Sequence, residues 1–504
     1  MSLSPLRLRL LVASLLTVSI LGALDHTIVA TSLATVAGEL GALEQMGWVV
    51  VGYTLASTVL LPVLGKVGDL VGPRLVFLAS LVVFLVASLA CGFAQDMTQL
   101  VIARVAQGMS SAGLHLMSQT IVAHVTTPRD RPKYMSIIGA AFPIAILVGP
   151  VLGGAITDYW GWPWVFWINL PFGLAALALA AFAIPHIEPG ARRRFDVAGS
   201  IVFTLSFVAL VLAVTWIGDP AAVTAALVAF VLAAIGFAAF FAIELRVPEP
   251  IVPLRWFADR TVAAGVALSA IIGVGLFSVT AYLPTYFQMA YRTTATVSGL
   301  VPIATVFGML VSNLATGWLV SRTGHYRVYP IAGTALGAVG LLAMALLPVG
   351  TPLWVPMAVM AVVGIGTGAF MSLVVAVVQG AVPRSETGTI TATVNLVRQF
   401  GSTVATAVIG GVIGVGVAAA LPAGLDASTL TPQLVQQSTP TVQAEVAQLY
   451  GGLFVPVFLA LAVTYALGIV AAVLLPAGQL SDELEPAAEP TEPTTDPASE
   501  PLTA

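Results

Sequence analysis

Fourteen hydrophobic stretches, each long enough to cross a bilayer, occupy most of this 504-residue chain, and nearly every Lys and Arg falls in alternate gaps between them. Crossing ~30 Å of hydrocarbon takes about 20 helical residues. Stretches of that kind cover 8–37, 46–65, 75–94, 100–124, 134–156, 164–184, 197–217, 221–243, 262–287, 296–320, 328–347, 353–378, 390–420 and 451–475. With 58% hydrophobic and 8% charged residues, against about 25% charged in soluble proteins, no water-facing shell is left for a soluble domain. The fold expected is an all-α polytopic membrane protein with 14 transmembrane helices.

The cations set the orientation. Sixteen of the 19 Lys and Arg lie at the amino terminus or in the loops after even-numbered spans, among them Arg7, Arg9, Lys66, Arg74, Arg129, Arg131, Lys133, Arg192, Arg193, Arg194 and Arg384. Arg292 lies on the other side, where Glu39, Glu44, Asp96, Asp158, Asp219, Asp426 and Glu445 gather. Both termini are therefore expected in the cytoplasm, and an Arg-rich, Ala- and Gly-rich composition points to a bacterial cell membrane. Arg7 and Arg9 before an apolar run resemble a signal peptide, but Asp25 and His26 interrupt the run and thirteen spans follow, so the first helix should be retained. Cys91 stands alone and forms no internal disulfide.

Four regions follow from composition and spacing: an amino-terminal six-helix bundle over 1–190, two inserted helices and a Pro-rich cytoplasmic linker over 191–260, a second six-helix bundle over 261–477, and an acidic tail over 478–504. The tail has too little apolar surface to offset ordering entropy, so disorder is expected there. Val435, Val442, Val446 and Leu449 suggest one face of a surface helix in the polar outer segment 421–450. A faint repeat relates Gly65, Lys66, Asp69, Gly72 and Arg74 after the second span to Gly317, Ser321, Arg322, Gly324 and Arg327 after the tenth.

With those residues the chain resembles a major facilitator superfamily transporter, and within it the fourteen-span drug:proton antiporter group. Asp69, Gly72 and Arg74 match the superfamily's loop motif. Leu24 to Val29 resembles the group's first-helix signature, Trp48 and Tyr53 the second, and Arg104 to Gly108 the fourth-helix motif. Gly139, Pro143, Gly149, Pro150, Gly153 and Gly154 are similar to the antiporter helix, and Trp162 to Gly173 to the signature leading into the sixth. The resemblance implies two six-helix halves plus two inserted helices and proton-coupled efflux of hydrophobic or amphiphilic small molecules such as drugs. Two departures stand out. Pro163 occupies the place of a usual Arg, and Ser321 replaces the acid in the second loop copy, which concentrates gating charge in the first half.

Asp25 lies about 24 Å along the first helix from Arg9, inside the membrane. An ionised carboxylate there costs roughly 2.5–3.5 kcal/mol on insertion scales, so it should face a cavity and exchange a proton, unless it is a structural Asp bonded to a neighbouring helix. Arg104 reaches a comparable depth and is the candidate coupling partner, or else a helix brace bonded to carbonyls. Arg398 lies about 13 Å into the thirteenth span with no carboxylate at its depth in the second half. It either binds backbone and Asn395 or faces a cavity suited to neutral, zwitterionic or anionic amphiphiles. Gly65, Asp69, Gly72 and Arg74 form a candidate conformational gate, with Asp69 accepting from the amide end of a neighbouring helix. His26, Gln107, His115, Gln119, Tyr282, Gln288, Asn395 and Arg398 are the candidate cavity.

Enzyme signatures such as Gly-x-Ser-x-Gly, His-Glu-x-x-His and a P-loop do not occur in the sequence. The partners expected are a small amphiphilic substrate, protons and the lipid bilayer, with no nucleic acid, cofactor or metal, in a monomer. Two rivals remain: export of a lipid or endogenous metabolite, and a transporter-like receptor or scaffold without flux.

Overall fold

The computed structural model describes residues 4–41, 45–188, 195–216, 222–421 and 430–482, with the side chains of 276–280 excepted. Arg192, Arg193, Arg194, Glu44, Asp219, Asp426 and the tail from 483 onward lie outside the described residues. The chain runs through α1 (Pro5–Leu40), α2 (Met46–Val71), α3 (Pro73–Gly92), α4 (Met97–Val125), α5 (Arg131–Gly139), α6 (Ala141–Trp160), α7 (Pro163–Trp167), α8 (Asn169–Ala183), α9 (Val197–Trp216) and α10 (Val223–Glu244). It continues through α11 (Arg260–Ile272), α12 (Ser278–Ala290), α13 (Ala295–Thr323), α14 (Val328–Leu346), α15 (Trp354–Gln379), α16 (Thr387–Ala420), α17 (Pro432–Gln437) and α18 (Pro440–Leu474).

Among the described residues, twelve helical stretches are long and apolar enough to span a membrane, with α5–α6 and α7–α8 each counted as one. Helix α4 has spanning length at 29 residues but carries Arg104, Gln107, His115 and Gln119. The stretch from α11 to α12 is broken by a π-turn, Gly273–Phe277. All the spanning segments are helical because a bilayer core offers no partner for open backbone groups.

Three predicted spans are interrupted, for identifiable reasons. Pro143 has no N–H to bond Gly139, and α5 ends there; Pro171 likewise leaves Trp167 without its ladder donor, and α7 stops at Trp167. At the π-turn, a Cβ on Gly273 would lie 2.0 Å from the Arg398 carbonyl oxygen and one on Gly275 2.1 Å from the Tyr465 ring. Two neighbouring helices therefore press directly on that backbone. Gly72 turns the chain between α2 and α3 at φ 92°, a conformation that favours glycine.

One large core gathers buried residues from Val262 to Leu475, and two more gather residues from Leu11 to Ile184, joined by Ala376 and Ala392. A smaller patch of Val59, Phe203, Phe207, Phe240, Val252 and Leu396 seats α9 and α10 against both. The surface helix expected near 435–449 is instead largely the start of α18, because Val446 is fully buried in the large core. The expected disorder of the tail also needs correction at its start. Leu480 N–H bonds Gly324 O (3.0 Å), Arg129 N–H bonds Ser481 O (3.0 Å), and Asp482 pairs with Arg129.

The two ends of the bundle differ. At the end carrying the basic loops, 116–123 of α4 and 366–379 of α15 are buried on every side, as are 387–396 of α16. From residue 399 toward the opposite end, α16 is mostly half-buried or exposed. The hydrogen bonds joining 5–183 to 260–482 gather at the basic end: Asn313 Nδ2 to Ser136 O (2.9 Å), Asn395 Nδ2 to Gln119 Oε1 (2.8 Å), and Arg129 to the carbonyls of Ser321 and Arg322. The bundle is closed at its basic end and opens toward the other.

Candidate functional site

The deepest polar cluster sits where α1, α4 and α8 meet. Arg104 Nη1 is ion-paired with Asp25 Oδ2, and Gln107 Nε2 (2.8 Å) and Asn169 Nδ2 (3.1 Å) donate to Asp25 Oδ1. The guanidinium also donates to Gln107 Oε1 (2.7 Å) and, through Nε, to Val49 O (3.3 Å), while its Cζ lies 4.1 Å from the Tyr53 ring centroid. Gln107 reaches further, to Ser88 Oγ at 2.8 Å. Both charged side chains are enclosed, at 0% and 1% exposure.

That enclosure corrects two expectations. Asp25 does not face a cavity in this conformation, because its oxygens are filled by donors from α4 and α8. Gln107 is fully buried and bonded to both ions, so it belongs to the cluster and not to a cavity wall. Asn169 and Ser88 were not singled out in the sequence; an Asn inside the apolar run that starts α8 was the available signal, since such a group needs a partner there.

Close packing fixes this cluster. A Cβ on Gly149 would lie 2.1 Å from Thr27 Oγ1 and one on Gly153 2.3 Å from Thr31 Oγ1, so α6 lies directly against α1. The Thr27 hydroxyl spans the seam to Ala145 O at 3.1 Å. Gly139 faces Ser372 of α15, and Pro143 is buried, while Pro150 is exposed. Gly154 does not take part in this packing: nothing lies within 4 Å of a Cβ there.

At the basic end, Asp69 supplies the cap that α16 lacks. Its Oδ1 accepts from Gly388 N–H (2.8 Å), and Oδ2 accepts from Thr389 N–H (2.8 Å) and the Thr389 hydroxyl (2.6 Å). The N-cap residue Glu386 makes no side-chain cap of its own. A carboxylate there also meets the positive end of the helix. Gly65, one turn back on α2, lets the backbones touch, because its Cβ would lie 2.8 Å from Gly388 O and 2.6 Å from Ala392 Cβ. Arg74 is set apart from the latch and donates to Ala181 O (2.8 Å). In the second copy of the motif, the Ser321 hydroxyl donates to Asp130 Oδ1 (3.1 Å) across the same seam.

The chain between α10 and α11 straddles the latch. Lys66 Nζ bonds Glu249 Oε2 (2.9 Å), while Arg255 Nη2 (2.6 Å) and Trp256 Nε1 (2.5 Å) both donate to Glu386. Glu244 receives the amides of Ile251 (3.2 Å) and Val252 (3.1 Å), which shapes the turn.

The remaining candidates form two groups. In mid-bundle, Gln119 meets Asn395 across the seam and His115 Nε2 at 3.2 Å, and Gln379 Nε2 bonds Thr391 Oγ1 (2.8 Å). Arg398 donates from Nη2 to Met371 O (3.2 Å); Asn395 turns to Gln119 and not to Arg398. Among the described residues no acid pairs with Arg398, and its Nε has no hydrogen-bond partner. Elsewhere, half-buried His26 lies 3.4 Å from Thr54 Oγ1 and against Tyr53, Tyr282 donates to Thr406 O (3.1 Å), and Gln288 is half-buried. No cluster of three or more metal-binding side chains occurs among the described residues.

The enclosed ion pair lies within a multi-pass helical bundle, and comparison with known proteins identifies that bundle as a transporter and not an enzyme. The Major Facilitator Superfamily model matches residues 15–406, and the chain belongs to that superfamily. A Mycobacterium tuberculosis protein described as an uncharacterized MFS-type transporter is 33% identical over 488 residues, covering 95% of this chain and 71% of that protein. Multidrug transporter protein MdtP of Bacillus subtilis is 31% identical over 406 residues, 80% of this chain and 75% of that one. Among solved structures, the human organic anion transporter MFSD10 aligns with a TM-score of 0.60 at 14% identity, covering 93% of this chain and 100% of that one. The proton:xylose symporter XylE gives 0.59 at 14%, covering 94% and 97%. At that identity the two structures bear on the fold alone.

Proposed function

We propose that this transporter exports hydrophobic or amphiphilic small molecules in exchange for protons, as a fourteen-span antiporter of a bacterial cell membrane. The basic end is the cytoplasmic face and both termini are inside. Residues 1–190 and 261–477 are the two moving halves, and α9 and α10 are inserted between them. The conformation described is then outward-open, one of the two states that alternating access requires.

The observation that carries this reading is the enclosed cluster of Asp25, Arg104, Gln107 and Asn169. A proton placed on Asp25 would turn one acceptor oxygen into a donor facing either the Arg104 guanidinium or the Gln107 and Asn169 amides, so proton uptake and rearrangement of α1 against α4 must occur together. That linkage is what converts a proton gradient into a conformational bias. Each proton moving through 100 mV supplies about 2.3 kcal/mol. The named multidrug relative supports the choice of cargo. Arg398, without an acid partner, supports neutral or anionic cargo over dications.

Proteoliposomes with an imposed pH gradient test the reading. Asp25→Asn keeps the side chain's size and removes its titration, so gradient-driven efflux of a lipophilic dye should vanish while the protein still reconstitutes. Undiminished gradient-driven efflux by the variant would remove Asp25 from coupling.

A further inference from the structure

A line of amides joins the two halves in mid-bundle, and a backbone carbonyl fixes its direction. Asn395 Nδ2 donates to Thr391 O on its own helix (3.0 Å) and to Gln119 Oε1 across the seam (2.8 Å). Turning the Asn395 amide over would set its oxygen against the Thr391 carbonyl. Gln119 therefore presents its oxygen to Asn395, which leaves its Nε2 facing His115 Nε2 at 3.2 Å. An amide nitrogen can only donate. The His115 ring must then accept at Nε2 and carry its proton on Nδ1.

A second ring proton is incompatible with that line. In the imidazolium both ring nitrogens donate, so no rotation of the ring restores an acceptor for Gln119. Gln119 can meet the charged ring only by turning its oxygen toward it. Its nitrogen would then face the nitrogen of Asn395, and the bond across the seam would be lost.

The ring is placed to receive such a proton. Gln119, Asn395 and Thr391 are buried, whereas His115 is half-buried, the first residue of α4 beyond the closed stretch 116–123 on the side where the bundle opens. The charge of Arg398, one turn beyond Asn395 on α16, bears on the ring. Further charged groups on the helices around α4 sit at other levels. Arg104, with Asp25 of α1, is about 16 Å back along α4. Asp69 of α2 meets α16 at Gly388, about two turns nearer the basic end than Asn395, and Lys66 is held by Glu249. Arg7 of α1, Arg74 of α3 and Arg131 of α5 bond the carbonyls of Ala183, Ala181 and Ala123.

We infer that His115 is a second proton-binding site, one that unlocks the basic end: a proton arriving from the open side on His115 Nε2 breaks the Gln119–Asn395 bond and favours the parting of α4 from α16. The switch rests on the alternation between two open states proposed above, and it works whatever the cargo. It biases the two states by differential protonation, as any ligand must.

Two measurements on the full-length protein in lipid test it. Solid-state NMR of protein isotope-labelled at its histidines shows which nitrogen holds the proton, the His115 signals being those missing from His115→Gln. At neutral pH the proton should sit on Nδ1. A proton on Nε2 would mean that Gln119 does not donate to the ring, and overturns the inference.

The second measurement reports closure. Ser372 is buried at the seam beside Gly139, outside the line of amides. With Ser372→Cys, a membrane-impermeant maleimide supplied at the basic end should react only when that end opens, Cys91 being buried. Rates are divided by those of His115→Gln carrying the same cysteine, which offers Gln119 an acceptor that does not titrate. The division cancels the titration of the thiol and of Asp25 and Asp69. From neutral pH to about pH 5.5, where histidine takes up its proton, the ratio should rise about threefold or more. Gln119→Glu offers oxygens to both neighbours, so its closure should hold as the pH falls. A ratio flat with pH, or a Gln119→Glu protein that opens on acidification as the wild type does, overturns the inference. Should Asp25 prove uncoupled in the efflux test, the ratio still decides for or against His115.

Discussion

Each half of the bundle buries one arginine deep among its helices, and the two are provided for differently. Arg104 has a carboxylate, a glutamine, a backbone carbonyl and an aromatic face. Arg398 has one carbonyl and an Nε without a partner among the described residues. The same contrast recurs at the basic end, where Asp69 holds the start of α16 with three hydrogen bonds and its counterpart Ser321 gives one to Asp130. Of the two deep arginines, then, the one whose charge is satisfied within the protein belongs to the first half. The second half keeps a cation whose binding capacity is not used up.

The largest expected effect breaks the first arginine's arrangement. Arg104→Met would leave Asp25 buried without its counter-ion, and removing one partner of such a pair costs about 3–5 kcal/mol. Thermal unfolding in detergent should show a marked loss, partly restored by adding Asp25→Asn, because the double variant strands no charge. A fully additive double variant would mean that the two side chains do not depend on each other.

Next in size is the latch. Loss of a helix cap costs about 0.5–2 kcal/mol, so Asp69→Asn should move several-fold more molecules toward an open basic end, read as faster labelling of a cysteine placed at Ser372, which is buried at the seam beside Gly139 and outside the latch. Labelling at the wild-type rate would reduce Asp69 to a local cap with no say in closure.

Arg398→Gln loses one hydrogen bond from a charged donor, worth about 1.5–3 kcal/mol, but also removes a buried cation that no acid pairs with among the described residues, so the net change in stability should be small. It should also weaken efflux of anionic dyes more than of neutral ones. Equal loss for both, with poor expression, would assign Arg398 to helix packing and remove the contrast between the halves.

The smallest effect is expected at Ser321→Ala. One exposed hydrogen bond is involved, and a change within about 0.5 kcal/mol is usual at such a position. Cysteine labelling at the basic end should match wild type. A shift as large as that of Asp69→Asn would show that the halves share the latch evenly.

Much of the fold could be read from the sequence because the bilayer imposes a length, and apolar runs of that length separated by short basic loops have few other uses. Depth along a helix is also simple arithmetic, and it put Asp25 and Arg104 at one level. The partners that complete the cluster were harder to see. Asn169 and Ser88 come from other helices, and Val49 contributes a carbonyl that every residue has. The π-turn was equally hidden, since the Arg398 carbonyl and the Tyr465 ring that lie against its two glycines come from distant helices. Composition misled at 478–482, where polar residues expected to stay disordered find backbone partners on the loops at Arg129 and Gly324.

The chain between α10 and α11 is also a tether of fixed length. Glu249 is moored to Lys66 on α2 and Arg255 to Glu386 ahead of α16, with six residue steps from one mooring to the other. Fully extended, six residues reach about 20 Å. While both moorings hold, the mouth at the basic end between α2 and α16 has a maximum width, and any cargo broader than that width must first slip one of them.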